Sequence, residues 1–176
     1  MKTGIIIPCY NEEERLRITT FINFINKENE FHLCFVNDGS TDNTIGVLHH
    51  MQAINPDKIS VIDVKKNSGK AAAIKIGARY LQSRGDVDFV GYMNANIPDD
   101  FEDFDGHINT LQANQKLGMV FGNRGNNTSG YLKKDKFTAL FSKIIKKSIY
   151  FIPKISIECT QSGTKTFTTE LVPILY

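Results

Sequence analysis

Three polar clusters carry the side chains best able to do chemistry: Pro8-Cys9-Tyr10-Asn11-Glu12, Asn37-Asp38-Gly39-Ser40 and Asn94-Ala95-Asn96. Each follows a short apolar run, and together they offer an aromatic ring, carboxylates and amides. A further turn, Asn67-Ser68-Gly69, leads into an alanine-rich segment that begins with Lys70. If that segment is a helix, its free amides and positive end favour an anion. One such cluster alone reads equally well as a turn with capping residues. Three at successive strand ends would converge on one cleft. The chain has neither Gly-x-Gly-x-x-Gly nor Gly-x-x-x-x-Gly-Lys-Ser/Thr. Their absence argues against a dinucleotide site and against a nucleoside triphosphatase.

The elements that must position these clusters alternate strand with helix. Isoleucine-rich residues 4–8 read as a buried strand ended by Pro8. Residues 12–26 then place Leu16, Ile18, Phe21, Ile22 and Ile25 at helical spacing. A second strand spans 31–36, and Thr41-Asp42-Asn43 can cap a helix running toward Met51. Further strands are expected over 59–64, 88–93 and 118–121, with helices over 70–82 and 100–115. Strands separated by helix-length segments imply an α/β fold with a doubly wound, mostly parallel sheet flanked by helices. Such sheets bind ligands at the carboxyl ends of their strands, near the switch in strand order.

Bulk properties narrow the classes. The 176 residues fit a single domain, and 41% hydrophobic with 23% charged residues is ordinary for a globular protein. A net charge of +2 gives no indication of nucleic acid binding. Cys9, Cys34 and Cys159 are widely spaced and read as buried thiols in a reducing compartment. No signal peptide and no membrane-spanning run is expected, which points to a cytoplasmic chain. His49-His50 reads as part of a helix, His32 as the start of a strand and His107 as a surface residue, none at metal-ligand spacing.

The motifs 5–13 (Ile-Ile-Ile-Pro-Cys-Tyr-Asn-Glu-Glu), 36–42 (Val-Asn-Asp-Gly-Ser-Thr-Asp) and 67–73 (Asn-Ser-Gly-Lys-Ala-Ala-Ala) resemble glycosyltransferase family 2 in order and spacing. The likeness is greatest to its dolichyl- and polyprenyl-phosphate mannosyl- and glucosyltransferases. It covers nearly the whole chain. It implies one GT-A domain over 1–176 with a Rossmann-like sheet, stopping short of the family's C-terminal segment. It also implies inverting transfer of a hexose from a UDP- or GDP-sugar to a polyprenyl or dolichyl phosphate, with Mg2+ or Mn2+ as cofactor.

On that resemblance, Pro8 sets the turn at the donor site and Tyr10 lines the base pocket, while Glu12 and Asp38 accept hydrogen bonds from base and ribose. Asp38 is equally suited to an Asx turn with Ser40. Gly69 and Lys70 would face the donor phosphates, or Lys70 is simply a solvated first-turn residue. Asn94, Ala95 and Asn96 stand where the family has Asp-x-Asp, with Asn96 at the metal position. An amide keeps the shape of a carboxylate and an oxygen ligand but loses the charge a hard cation favours. Nearby Asp99, Asp100 and Glu102 either supply charge or form the first turn of the next helix. Arg124 matches the family's basic residue after the fifth strand and would fork onto the acceptor phosphate, with Lys165 a second candidate. The run 158–165 (Glu-Cys-Thr-Gln-Ser-Gly-Thr-Lys) resembles the family's Asp-Thr-Gln-Cys-Gly-Phe-Lys, with Cys159 at its Asp.

Residues 131–154 interleave lysines with apolar residues at helical spacing. Such a helix would either lie on an anionic membrane face or pack on the core with its lysines solvated. The resemblance favours peripheral contact at the cytoplasmic face, because the acceptor is a lipid. Two readings therefore stand: a glycosyltransferase, or a catalytically impaired relative that binds nucleotide sugar or lipid phosphate.

Overall fold

The computed structural model describes residues 1–27, 30–96, 101–121, 130–133 and 164–176, with backbone alone at 102, 121 and 130–133. Its centre is a seven-stranded sheet of order β3-β2-β1-β4-β7-β5-β6. The strands are β1 (Thr3–Cys9), β2 (Phe31–Asp38), β3 (Ile59–Val64), β4 (Phe89–Tyr92), β5 (Leu117–Phe121), β6 (Gly130–Lys133) and β7 (Lys165–Thr168). β1 to β4 run parallel. β7 enters between β4 and β5 antiparallel to both, and β6 closes the edge antiparallel to β5. The sheet is thus mostly parallel, as expected, with two reversed strands the periodicity did not indicate.

The alternation of side chains across β1 splits the core. Ile5 and Ile7 point to one face, where they meet Phe21 and Ile25 of α1 (Ile18–Ile25). Leu48 and Met51 of α2 (Thr44–Ile54) join them, with Phe101 and Phe104 of α4 (Phe101–Ala113). Ile6, Cys34 and Val36 point to the other face, against Ala73, Ile74, Ala78 and Leu81 of α3 (Lys70–Arg84). The C-terminal α5 (Val172–Leu175) continues that second face. Each fully buried aromatic or aliphatic side chain stabilises the fold by about 2 kcal/mol. Phe21 adds edge-on contacts to Phe35 at 5.2 Å and Phe101 at 5.7 Å. α3 lies close on the sheet because Gly77 has no side chain: a Cβ there would sit 2.7 Å from Ile6.

Three expectations need correction. The first helix begins at Ile18 and not at Glu12, because Arg15 and Leu16 close a turn on the Glu12 carbonyl while the neighbouring loop takes the Glu12 and Glu13 amides. Pro8 does not end its strand, since β1 continues through Cys9. Its missing N–H falls on the β4 side, where the last bond between the two strands runs from the Met93 N–H to the Ile6 carbonyl at 3.1 Å, so the β1–β4 ladder stops at Pro8. His107 is buried, not surface, with Nδ1 3.1 Å from the Thr166 hydroxyl. β7 covers that face of α4, and nothing local to residue 107 announces a strand from residues 165–168. Of the 131–154 stretch, Tyr131–Lys133 belong to β6, and residues 134–154 lie outside the described residues.

Candidate functional site

The strand order reverses between β1 and β4, and a cleft of about 460 Å³ opens at their carboxyl ends. It is lined by Pro8, Tyr10, Glu12, Asp38, Lys70, Asn94, Ala95 and Asn96, together with Cys9, Asn67 and Gly69. Every residue expected at a donor or metal position therefore faces one space. Arg124, Cys159, Asp99 and Asp100 lie outside the described residues, as does the side chain of Glu102. Lys165 opens β7 and is not among the lining residues, yet its ammonium sits 5.2 Å from the centroid of the Tyr92 ring, just before the Asn94 turn.

Hydrogen bonds shape the β1–β2 end. Asn11 adopts φ 51°, a left-handed conformation that asparagine tolerates better than most residues. Its side-chain oxygen accepts from Thr41 N–H at 2.8 Å, and its own N–H donates to the Ser40 hydroxyl at 3.0 Å. The next two amides follow suit, Glu12 N–H to Thr44 Oγ1 at 2.8 Å and Glu13 N–H to Asp42 at 3.2 Å. Asp42 also accepts from the Thr44 N–H at 3.0 Å, one residue ahead of the α2 N-cap Asn43, whose own side chain makes no capping bond. This clamp between loops was not anticipated. The left-handed preference of Asn11 and the serine and threonine at 40 and 44 were its only sequence signal.

Asp38 does not form the expected Asx turn with Ser40. Its two carboxylate oxygens accept the N–H groups of Ser68 at 2.9 Å and Gly69 at 2.8 Å, so it ties β2 to the start of α3. Ser40 turns instead to Asn37. Gly39, at φ 67°, is required by this junction because a Cβ would fall 2.5 Å from the Asn67 nitrogen. Asn37 donates to Asp63 at 2.7 Å across the β2–β3 register and accepts from Ser40. An amide can serve both partners, whereas a carboxylate at 37 would oppose that of Asp63.

Tyr10 keeps 44% of its surface exposed on the cleft wall, leaving its ring free to pack on a planar ligand. Burial pushes the Glu12 carboxyl above the usual carboxylate range. The Arg15 guanidinium, 3.0 Å away, pulls it back, and Asp42 adds to the rise. The Cys9 thiol is buried at the cleft floor and pushed well above its ordinary value by desolvation, so it is inert. Cys34, pushed up to about 12 by burial, is a core thiol as expected.

The β4 end differs. The Lys70 ammonium donates to the Asn94 side-chain oxygen. The cleft withholds part of the hydration of Lys70, and the like charge of Lys165 lies close, both holding its pKa below the usual lysine value. Neither lysine forms an ion pair with a described carboxylate. A divalent cation would need hard, charged oxygen ligands at this point. Amides occupy 94 and 96, Lys70 already takes the Asn94 oxygen, and no group of three His, Cys, Asp or Glu gathers anywhere among the described residues. The groups described here do not fit Mg2+ or Mn2+.

Residues 4–171 match the family model for glycosyl transferase family 2. The chain is 32% identical to a dolichyl-phosphate beta-glucosyltransferase of Trichomonas vaginalis, over 98% of this chain and 55% of that protein. It is 28% identical to the human dolichyl-phosphate beta-glucosyltransferase, over 95% and 55% respectively. The chain thus spans about half the length of the curated relatives it matches. The structure resembles glucosyl-3-phosphoglycerate synthase of Mycobacterium tuberculosis, crystallised with Mn2+, UDP and glucosyl-3-phosphoglycerate. The TM-score is 0.59 at 16% identity, covering 97% of this chain and 57% of that one. At that identity the likeness shows the fold, which is the GT-A arrangement.

Proposed function

The chain belongs to glycosyl transferase family 2, and from that premise we propose that its cleft holds a nucleotide-sugar donor, a UDP- or GDP-hexose. The hexose passes with inversion to a polyprenyl or dolichyl phosphate. The observation that supports this most is the meeting of all seven expected donor-site residues, with Asn96, in one cleft at the β1–β4 switch.

The base packs beside Pro8 on the exposed Tyr10 ring. Glu12, clamped by Thr44, accepts its N–H groups, and the Asp38 carboxylate holds the loop beneath the ribose. The diphosphate lies at the start of α3, where Lys70 and the first-turn amides meet it. Lys165 adds positive charge from β7. The acceptor phosphate is already anionic near neutral pH, so its oxygen can attack the anomeric carbon without a general base. The bond to the nucleoside diphosphate breaks on the opposite face, and the lysines stabilise the charge left behind. Arg124 would orient the acceptor phosphate.

Such an acceptor puts the protein to work at a membrane surface, with 131–154 as the contacting stretch. No helix among the described residues is long and apolar enough to cross a membrane. The test is transfer of labelled glucose from UDP-glucose, or mannose from GDP-mannose, into an organic-soluble polyprenyl phosphate. A labelled lipid phosphate sugar is the expected product. Amides at the Asp-x-Asp positions favour a second reading, a binding module that holds the same donor without transfer. Saturable donor binding with no labelled lipid would select it.

A further inference from the structure

We propose that this cleft binds the donor diphosphate without a divalent cation, the Lys70 and Lys165 ammonium groups supplying the charge a metal would bring. The inference rests on the donor reading above and adds to it how the diphosphate is neutralised.

Three observations carry it. The Asn94 oxygen, beside the metal position at Asn96, is already hydrogen-bonded to Lys70 Nζ. Asn96, the other position of the pair, is an exposed amide and brings no charge. Lys165 pairs in register with Tyr92, lies over its ring at 5.2 Å and is near enough to Lys70 for the two charges to repel. A divalent cation entering here would meet two ammonium groups and displace one of them. Among the described residues it would find no cluster of acidic ligands in compensation. A doubly negative diphosphate meets the opposite situation: two cations whose mutual repulsion it relieves, beside the Lys70 and Ala71 amides, which the Asp38 and Gly69 bonds at the helix start do not use. Asn94 then positions the Lys70 ammonium toward the phosphates, and its neutrality matters. A carboxylate in its place would pair with Lys70 and spend that charge inside the protein.

The experiment is calorimetric titration of the full chain with UDP-glucose and with GDP-mannose, each in EDTA and in Mn2+. Electron paramagnetic resonance of Mn2+ alone with the chain runs alongside. The expected result is one donor binding with a Kd in EDTA within about twofold of that in Mn2+, and a free-Mn2+ signal undiminished by the protein. Binding at least about tenfold tighter in Mn2+, with loss of the free-Mn2+ signal, would overturn the inference while leaving the donor reading intact. No binding of either donor in either buffer overturns the donor reading and this inference with it. The pair Asn94→Asp/Asn96→Asp gives the converse test. It should weaken donor binding in EDTA by about tenfold or more and restore it in Mn2+. Unchanged affinity in EDTA would overturn the role assigned to the neutral amides.

Discussion

The two ends of the cleft treat charge in opposite ways. At the β1–β2 end the carboxylates are engaged: Asp38 by the Ser68 and Gly69 amides, Glu12 by Arg15, Asp42 by Thr44 and Glu13. At the β4 end, among the described residues, Lys70 meets a neutral amide oxygen and no carboxylate, and Lys165 lies over an aromatic ring. Satisfied charges fix loop shape and cost the folded state little. Unpaired charges of one sign gain nothing for the fold and become favourable only when an opposite charge arrives. The first end therefore reads as construction and the second as recognition, within one wall of side chains.

Substitutions at the two ends should accordingly fail in different assays. Asp38→Ala removes both anchors of the β3–α3 loop and is expected to lower stability by about 3 kcal/mol in urea denaturation. A loss under half of that would mean the loop is held by other contacts.

A control away from the cleft comes from His32, which is fully buried with Nε2 2.8 Å from the Ser60 hydroxyl. Burial first, then the charges of Arg84 and Lys2, lowers its pKa from 6.5 to about 4. The unfolded chain therefore binds this proton more readily than the folded one. The stability due to neutral His32 is fully present above pH 6.5 and is lost as pH falls toward 4. The loss should approach about 3 kcal/mol, and His32→Gln should flatten that part of the pH profile. An unchanged slope in the variant would assign the acid sensitivity elsewhere.

Asn11→Ala should cost about 2 kcal/mol, from the left-handed backbone and the lost Thr41 bond, and Asn11→Gly should cost less. Equal costs for the two would show that the side-chain bond alone matters. Lys70→Ala should reverse the pattern, with donor affinity falling about tenfold, near 1.4 kcal/mol, and stability unchanged within about 0.5 kcal/mol. A clear stability loss at Lys70 would erase the distinction between the two ends.

Much of the donor half was legible from local pattern. β1 to β4 and α2 to α4 fall close to where apolar runs and helical spacing place them, because each is a contiguous segment with its own period. The polar clusters fall at the strand ends, where a parallel sheet must present its loops. Errors arose where a remote segment decides the local state. The turn at residues 12–16 replaces a helical start because Thr44 and Asp42, some thirty positions away, take the backbone donors of Glu12 and Glu13. Asp38 reads locally as a turn former with Ser40, yet its partners are Ser68 and Gly69.

By itself, the sequence determined the alternation of elements, the family, and the residue types available at each strand end. It also determined that amides, not carboxylates, stand at 94 and 96. The tertiary structure alone decided that β7 enters between β4 and β5, which buries His107 and brings Lys165 over Tyr92. It also decided that Lys70 reaches Asn94. Period and composition report which face of a segment is buried. Which charges share a cleft depends on loops and strand insertion that bring together residues far apart in the chain, and no local pattern encodes that distance.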